Sequence, residues 1–303
     1  MKDPYLLPVF SPTKYVSPFD INMAYEAHYD AVIPYCNVTL DEIHALTQDT
    51  IFSRGPVGVK RTGIFIGGRD LHRAREMRDA ARAAMVPPVE VSVLADPSGA
   101  ITTAAAMVAM VAMVAYWLRP QDGSDRRGQR VLVLGGTGPV GNCVGLLAAR
   151  SGAVVCLASK RGAAAAQASA ALCNGRYGLT LRGVDRGQPG ALAEILDDTQ
   201  SIFNAAKAGV CVVTAAALAQ TRCLRVAVDA NGVPPSGMAG VGGRDNGVAL
   251  VTAGGPARGV GARAVGAVNY RVHTGLLGPM YAAAQPVYLG HEEAFALACA
   301  LVG

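Results

Sequence analysis

The chain has 303 residues, of which 51% are hydrophobic and 16% charged, with a net charge of +5 from 27 basic and 22 acidic side chains. That length covers two domains or one large one and suffices for a sizeable core, which excludes a disordered or fibrous protein. The basic residues are scattered: Arg69, Arg73, Arg75, Arg78 and Arg82 share one stretch with Asp70, Glu76 and Asp79, the pattern of a solvated helix face and not of a nucleic-acid surface.

Along the chain, the first segment is proline-rich until Pro18, which opens a helix-like run. Ala31-Val-Ile-Pro-Tyr35 reads as a strand, and Thr39-Leu-Asp-Glu42 as a capping-type opening for a short helix through Ala45. Thr62-Gly-Ile-Phe-Ile-Gly-Gly68 is a buried strand with a glycine turn into the arginine-rich helix. Val89-Glu-Val-Ser-Val-Leu94 is another, ending at Asp96-Pro97-Ser98-Gly99. This alternation predicts a mostly parallel sheet. Residues 101–118 are almost uninterruptedly apolar, close to spanning length. They are alanine-rich, start on Thr102-Thr103 and lack basic flanks, so they predict a buried inter-domain helix.

A polar stretch, 121–128, marks the domain boundary. Beyond it, strands near 130–135, 153–158, 178–183, 201–205, 223–229 and 248–252 alternate with alanine-rich helices, as in a Rossmann-type doubly wound parallel sheet. After Gly261 the chain reads as helical to about Pro279, with a final helix near 291–302 that is expected to return to the first domain. The fold class is therefore two-domain α/β, with a smaller α/β substrate domain over 1–120 plus 264–303 and a nucleotide-binding domain over 121–263. Seven cysteines without paired spacing, and no clustering among five histidines, predict reduced structural thiols and no metal site. The chain starts Met-Lys-Asp-Pro, without the apolar core of a signal peptide, so a cytoplasmic setting is expected.

The most informative segment is Arg130-Val-Leu-Val-Leu followed by Gly136-Thr137-Gly138-Pro139-Val140-Gly141. An apolar strand ends in Gly-x-Gly-x-x-Gly and enters a helix, the context in which glycines let the backbone approach a pyrophosphate at a helix N-terminus. In an NAD site, a carboxylate for the ribose stands about twenty residues further on. Here Ser159-Lys160-Arg161 ends the next strand, and two cations with a hydroxyl suit a 2′-phosphate. NADP is favoured, with NAD also possible. The other reading is two solvated cations at a strand end. Ala205 and Ala206, after Asn204, are placed to pass the nicotinamide ribose, and Asp229 and Asn231 either bind the carboxamide or make a turn.

Taken together, five blocks resemble the NAD(P)-dependent methylene-tetrahydromethanopterin dehydrogenases over nearly the full length: Ser17-Pro-Phe-Asp-Ile-Asn-Met-Ala24, Leu46-Thr-Gln-Asp-Thr-Ile-Phe-Ser-Arg54, Arg61-Thr-Gly-Ile-Phe-Ile-Gly-Gly68, Ala95-Asp-Pro-Ser-Gly-x-x-Thr-Thr, and Asp229-Ala-Asn-Gly-Val-Pro-Pro-Ser-Gly237. The resemblance implies oxidation of N5,N10-methylene-tetrahydromethanopterin to the methenyl cation with hydride passing to NADP, in formaldehyde-linked one-carbon metabolism such as methylotrophy. It also implies a pterin cleft between two domains, a homo-oligomer, and tetrahydrofolate as a secondary substrate. Removing hydride from a carbon flanked by two nitrogens leaves an amidinium-like cation and moves no proton, so the chemistry requires placement and no acid–base constellation.

The candidate substrate residues carry alternative readings. Asp20 either meets the pterin and its developing cation or caps the following helix; Asn22 shares that turn. Asp96, Thr102 and Thr103, at the carboxyl end of a strand, either hold a ligand or cap the long helix. The resemblance places a lysine beside the substrate where this chain has Asn269, which cannot supply its charge; Arg271 or His273 is the possible compensation. Two alternatives follow: an NADP-dependent methylene-tetrahydrofolate or other reduced-pterin dehydrogenase, and a non-catalytic NADPH-binding sensor.

Overall fold

The computed structural model describes residues 3–117, 128–187 and 190–303. The polar stretch 121–127, where the sequence puts the domain boundary, lies outside the described residues. The chain divides into two compact units, Met1–Thr102 with Asn269–Leu297 and Thr103–Val268 with Ala298–Gly303.

The first unit begins with β1 (Leu6–Phe10), α1 (Pro18–Glu26), β2 (Ala31–Tyr35), α2 (Ile43–Phe52) and α3 (Pro56–Val59). It continues with β3 (Gly63–Ile66), α4 (Leu71–Ala83) and β4 (Ser92–Ala95). A 3-10 turn, Pro97–Gly99, then leads into α5 (Ala100–Trp117). Pro18 starts α1 because a first-turn residue needs no N–H partner. Glu42 accepts from the Thr39 amide at 2.7 Å and the Thr39 hydroxyl at 2.8 Å, fixing the entry to α2. That helix runs to Phe52, well beyond Ala45, because Ile43, Thr47 and Ile51 form one buried stripe at helical spacing. Asp70 caps α4 by accepting from the His72 and Arg73 amides. β4 starts at Ser92 and not at Val89, because Val89 closes a tight turn onto the Val86 carbonyl. Among the described residues no helix is long and apolar enough to cross a membrane.

In the second unit, β5 (Arg130–Leu134), α6 (Pro139–Arg150), β6 (Val154–Ser159), α7 (Ala163–Tyr177), β7 (Arg182–Asp185) and α8 (Ala191–Asp197) come first. They are followed by β8 (Ser201–Asn204), α9 (Ala215–Ala219), β9 (Val226–Asp229), β10 (Asn246–Thr252) and β11 (Gly255–Val260); α10 (Ala262–Leu277) then starts in this unit and from Asn269 onward belongs to the first. The strand expected at 178–183 is displaced to Arg182, since Gly178 ends α7 in the left-handed conformation. The final strand expected over 248–252 is antiparallel to β11, and β11 itself, with little apolar sequence, continues the parallel sheet beside β9. The chain ends with α11 (Pro279–Ala282), β12 (Tyr288–Leu289) and α12 (His291–Val302), β12 pairing with β4.

Both sheets are doubly wound. In the first unit the order is β2-β1-β3-β4-β12, all parallel, with the Pro34-containing β2 at an edge that tolerates the missing N–H. In the second unit the order is β7-β6-β5-β8-β9-β11-β10. The chain reverses direction across the sheet at β1/β3 in one unit and at β5/β8 in the other. Ligands of open α/β sheets sit beyond the carboxyl ends of the strands at such reversals. Each unit buries its own apolar cluster, Phe10, Ile43, Ile64 and Met77 in the first and Leu132, Leu134, Ile202 and Met238 in the second.

Candidate active site

In the second unit the reversal is occupied by the glycine turn. Gly135 has a φ of +76°, and a Cβ there would lie 2.5 Å from the Ala205 carbonyl oxygen, so the turn after β5 is pressed against the end of β8. A Cβ on Gly141 would collide with the Gly135 carbonyl, which locks α6 against the turn. Asn142 ties these parts together. Its Nδ2 donates to Gly136 O at 2.8 Å and Gly138 O at 3.1 Å, and its Oδ1 accepts from Ser169 and Cys173 on α7.

A groove of about 160 Å³ opens beside this turn, lined by Gly135, Thr137 and Gly138 at one side, Ala205, Ala206 and Lys207 at another, and Ser159, Lys160, Arg161 and Arg186 at the far end. Ser159 is buried, and its hydroxyl accepts from the Arg161 amide at 3.0 Å and sits 3.3 Å from the Thr137 hydroxyl. Its side chain therefore shapes the turn that presents Lys160 and Arg161, both exposed. Pro139 and Val140 begin α6 and do not line the groove, and Gly136 and Gly141 are buried.

Asp229 and Asn231 have other duties than lining this groove. The Asp229 carboxylate accepts from Asn204 Nδ2 at 2.8 Å and from the Asn231 and Met238 amides at 3.0 and 2.9 Å. Asn231 bonds the Gly209 and Val233 amides and the Pro235 carbonyl. Both side chains organise the loop after β9.

In the first unit, Asp20 lies on α1 at the β1/β3 reversal, its Oδ2 3.4 Å from where a Gly67 Cβ would stand. It is 1% exposed, and neither carboxyl oxygen has a hydrogen-bond partner among the described residues. Asp20 therefore does not cap α1, whose N-cap position is Ser17. Burial first, and then the neighbouring Asp96 charge, push the Asp20 carboxyl up to about 8, with the Ser98 backbone opposing weakly. Near neutral pH it is largely the neutral acid.

Asp96 takes a different part. Its Oδ1 accepts from the Ile101 amide at 2.7 Å, and its Oδ2 accepts from the Thr102 hydroxyl at 2.6 Å and faces His273 Nδ1 at 3.0 Å. The cap of α5 is thus Asp96 and not Thr102. Asp96, Thr102 and His273 are all 0% exposed and bonded to one another. The His273 ring lies 5.9 Å from Phe65, nearly stacked, and 5.3 Å edge-on from Phe19, and its Nε2 has no partner among the described residues. One helical turn earlier on α10, half-buried Asn269 has a buried, unpartnered Oδ1. Asn22 and Arg271 are exposed and Thr103 is half-buried.

Ser98 holds a φ of +55° and donates to the Gly68 carbonyl at 2.8 Å, a left-handed serine of the kind found where a site over-determines its backbone. A hollow of about 690 Å³ between Arg54, Lys60, Pro87 and Glu90 opens at the amino ends of β3 and β4, and Asp20, Asp96, Asn269 and His273 do not line it. Sequence reasoning missed Gly135, Arg186, Lys207 and Phe19. Gly135 precedes the motif spacing, Arg186 and Lys207 look like solvated cations, and Phe19, 38% exposed, reads as core.

Residues 18–98 match the family model described as Methylene-tetrahydromethanopterin dehydrogenase, N-terminal. The chain is 38% identical over 298 residues to an NAD(P)-dependent methylenetetrahydromethanopterin dehydrogenase of Methylorubrum extorquens, covering 98% of this chain and 99% of that one. It is 30% identical over 282 residues to the Bifunctional protein MdtA of the same organism, covering 93% of each chain. The NADPH-dependent glyoxylate/hydroxypyruvate reductase of Sinorhizobium meliloti aligns over 75% of this chain and 72% of its own at 14% identity, with a TM-score of 0.32.

Proposed function

Because the chain belongs to the NAD(P)-dependent methylene-tetrahydromethanopterin dehydrogenase family, we propose that it oxidises N5,N10-methylene-tetrahydromethanopterin to the methenyl form with direct hydride transfer to NADP. The observation that carries this reading is the set of buried polar atoms without partners at one end of the first unit: both oxygens of Asp20, Oδ1 of Asn269 and Nε2 of His273. Orphaned buried polar groups are costly and rare, and a ring system bearing N–H and carbonyl groups can satisfy them. Asp20, as a neutral acid, both donates and accepts. Exposed Phe19 offers an aromatic edge beside it for a flat ligand. Asp96 and Thr102 act from beneath as positioning residues on the Nδ1 side of His273, and Asn22 and Thr103 are the outer candidates.

The residues of the second unit fit a dinucleotide. The Gly135, Gly136 and Gly138 amides are held by the Ala158 and Gly135 carbonyls, so Thr137 and the N-terminus of α6 are what this turn offers a pyrophosphate; Ala205 and Ala206 permit a close ribose, and the cations at the β6 and β7 ends suit a 2′-phosphate. When bound, the nicotinamide accepts the hydride; NAD fits the same turn with less charge compensation. The substrate needs only to be held in line and its new positive charge accommodated. The positive charge formed there lowers the raised Asp20 carboxyl, and the hydride step itself moves no proton.

This reading assigns the pterin to residues 1–120 with 264–303 and the nucleotide to 121–263. It places the protein in the cytoplasm, in formaldehyde-linked one-carbon oxidation. Exposed Phe52, Val57 and Val86 provide apolar surface for a homo-oligomer. The relative at 38% identity favours this reading over a folate-specific enzyme or a sensor. Purified protein given NADP and the methylene pterin is expected to form methenyl product and NADPH in equal amounts. Tight NADPH binding without turnover, or turnover on methylene-tetrahydrofolate alone, would contradict it.

A further inference from the structure

We propose that Arg186, at the end of β7, is the residue that discriminates NADP from NAD by binding the adenosine 2′-phosphate, ahead of Lys160 and Arg161. This rests on the nucleotide reading above and assigns the specificity of that site to one side chain.

The backbone places Arg186 there. Ser159 and Asp185 are paired in register across β6 and β7, and the Arg186 amide donates to the Ser159 carbonyl at 3.1 Å. Asp185 then turns the chain by accepting from the Gly187 amide at 2.7 Å, and Gly187 passes beside the Lys160 carbonyl. Arg186 is therefore held at the end of β7, next to the end of β6 where the ribose-binding side chain of a dinucleotide fold stands, and it lines the same groove as the glycine turn.

Its surroundings separate it from the other two cations. Lys160 and Arg161 are exposed, so water and salt screen whatever they attract. Arg186 is half-buried, and its Nε is withdrawn from solvent with no hydrogen-bond partner. No carboxylate among the described residues forms an ion pair with it. Burial draws its guanidinium below the ordinary value, the mark of a cation lacking compensation. A partly desolvated cation with a free N–H gains most from a dianion, and the guanidinium fork matches a phosphate in two parallel bonds where an ammonium offers a point charge. Asp185 does not compete, because its Oδ1 is held by the turn.

The test uses calorimetric titration of the intact protein with adenosine 2′,5′-bisphosphate, adenosine 5′-monophosphate and inorganic phosphate, so that no turnover enters the readout. Arg186→Gln is expected to weaken the bisphosphate on the order of thirtyfold and the monophosphate by less than about twofold, at an unchanged melting temperature. The Lys160→Ala/Arg161→Ala double variant is expected to lose a smaller factor, and one that shrinks with added salt. The proposal is overturned if Arg186→Gln binds the bisphosphate as wild type does, if it loses both nucleotides equally, or if the double variant loses more. Inorganic phosphate binding as tightly as the bisphosphate would show an unspecific anion site and also overturn it. A wild-type protein that binds the two nucleotides equally would instead sink the NADP preference itself, a different failure visible before any substitution.

Discussion

Asp20 shows how a single residue links the site to the stability of the protein. Its folded carboxyl keeps its proton up to about pH 8, whereas an ordinary aspartate releases it near 3.8. Between those values the folded state holds the extra proton, so this group's contribution to stability is intact below pH 4 and is lost as pH rises toward 8 and beyond. Asp20→Asn keeps the shape and removes the charge that alkaline pH would bury. The variant should melt at about the same temperature as wild type near pH 4 and roughly 5 °C or more higher at pH 9, with the crossover tracked by melts in between. Identical melting curves at every pH would mean that Asp20 ionises freely. The sequence brought Asp20 forward yet left cap and ligand contact unresolved, because both readings use the same residue type before a helix. Only the geometry shows carboxyl oxygens bonded to nothing. Asp229 and Asn231 are the converse: their side chains are bonded within the loop that they hold.

At the scale of elements, the nucleotide site is a strand, a turn and a helix held by one amide side chain. Asn142 is 8% exposed and joins the Gly136 and Gly138 carbonyls to α7 through Ser169 and Cys173. Losing those bonds at about 1 kcal/mol each should let the turn drift. Asn142→Ala is expected to weaken NADPH and NADH alike, roughly tenfold, in fluorescence titrations, in contrast to the one-sided effect of Arg186→Gln. An unchanged affinity for both would show that the glycines alone set the turn. The strand, glycines and helix were legible because their pattern is local. Asn142 was not, since its partners lie on a helix 27 and 31 residues away in sequence. The same reason hid β1, with Pro8 inside it, and the two-residue β12, which exists only because β4 supplies a neighbour.

The whole molecule consists of two doubly wound sheets, each reversing its winding once and each carrying polar groups at that reversal. Alternating apolar runs and helices made the α/β class readable from sequence. The order of strands was not, because residues that pair across a sheet, such as Tyr288 with Val93, are far apart in the chain. Direct hydride transfer is the claim on which both units must act together. It is tested by supplying substrate deuterated on both hydrogens of the N5,N10-methylene carbon, with NADP, and locating the label by mass spectrometry and NMR of the reduced nucleotide. The account predicts one deuterium per turnover at nicotinamide C4, none in water, and one retained on the methenyl carbon. Unlabelled NADPH, or deuterium released to solvent, would contradict it.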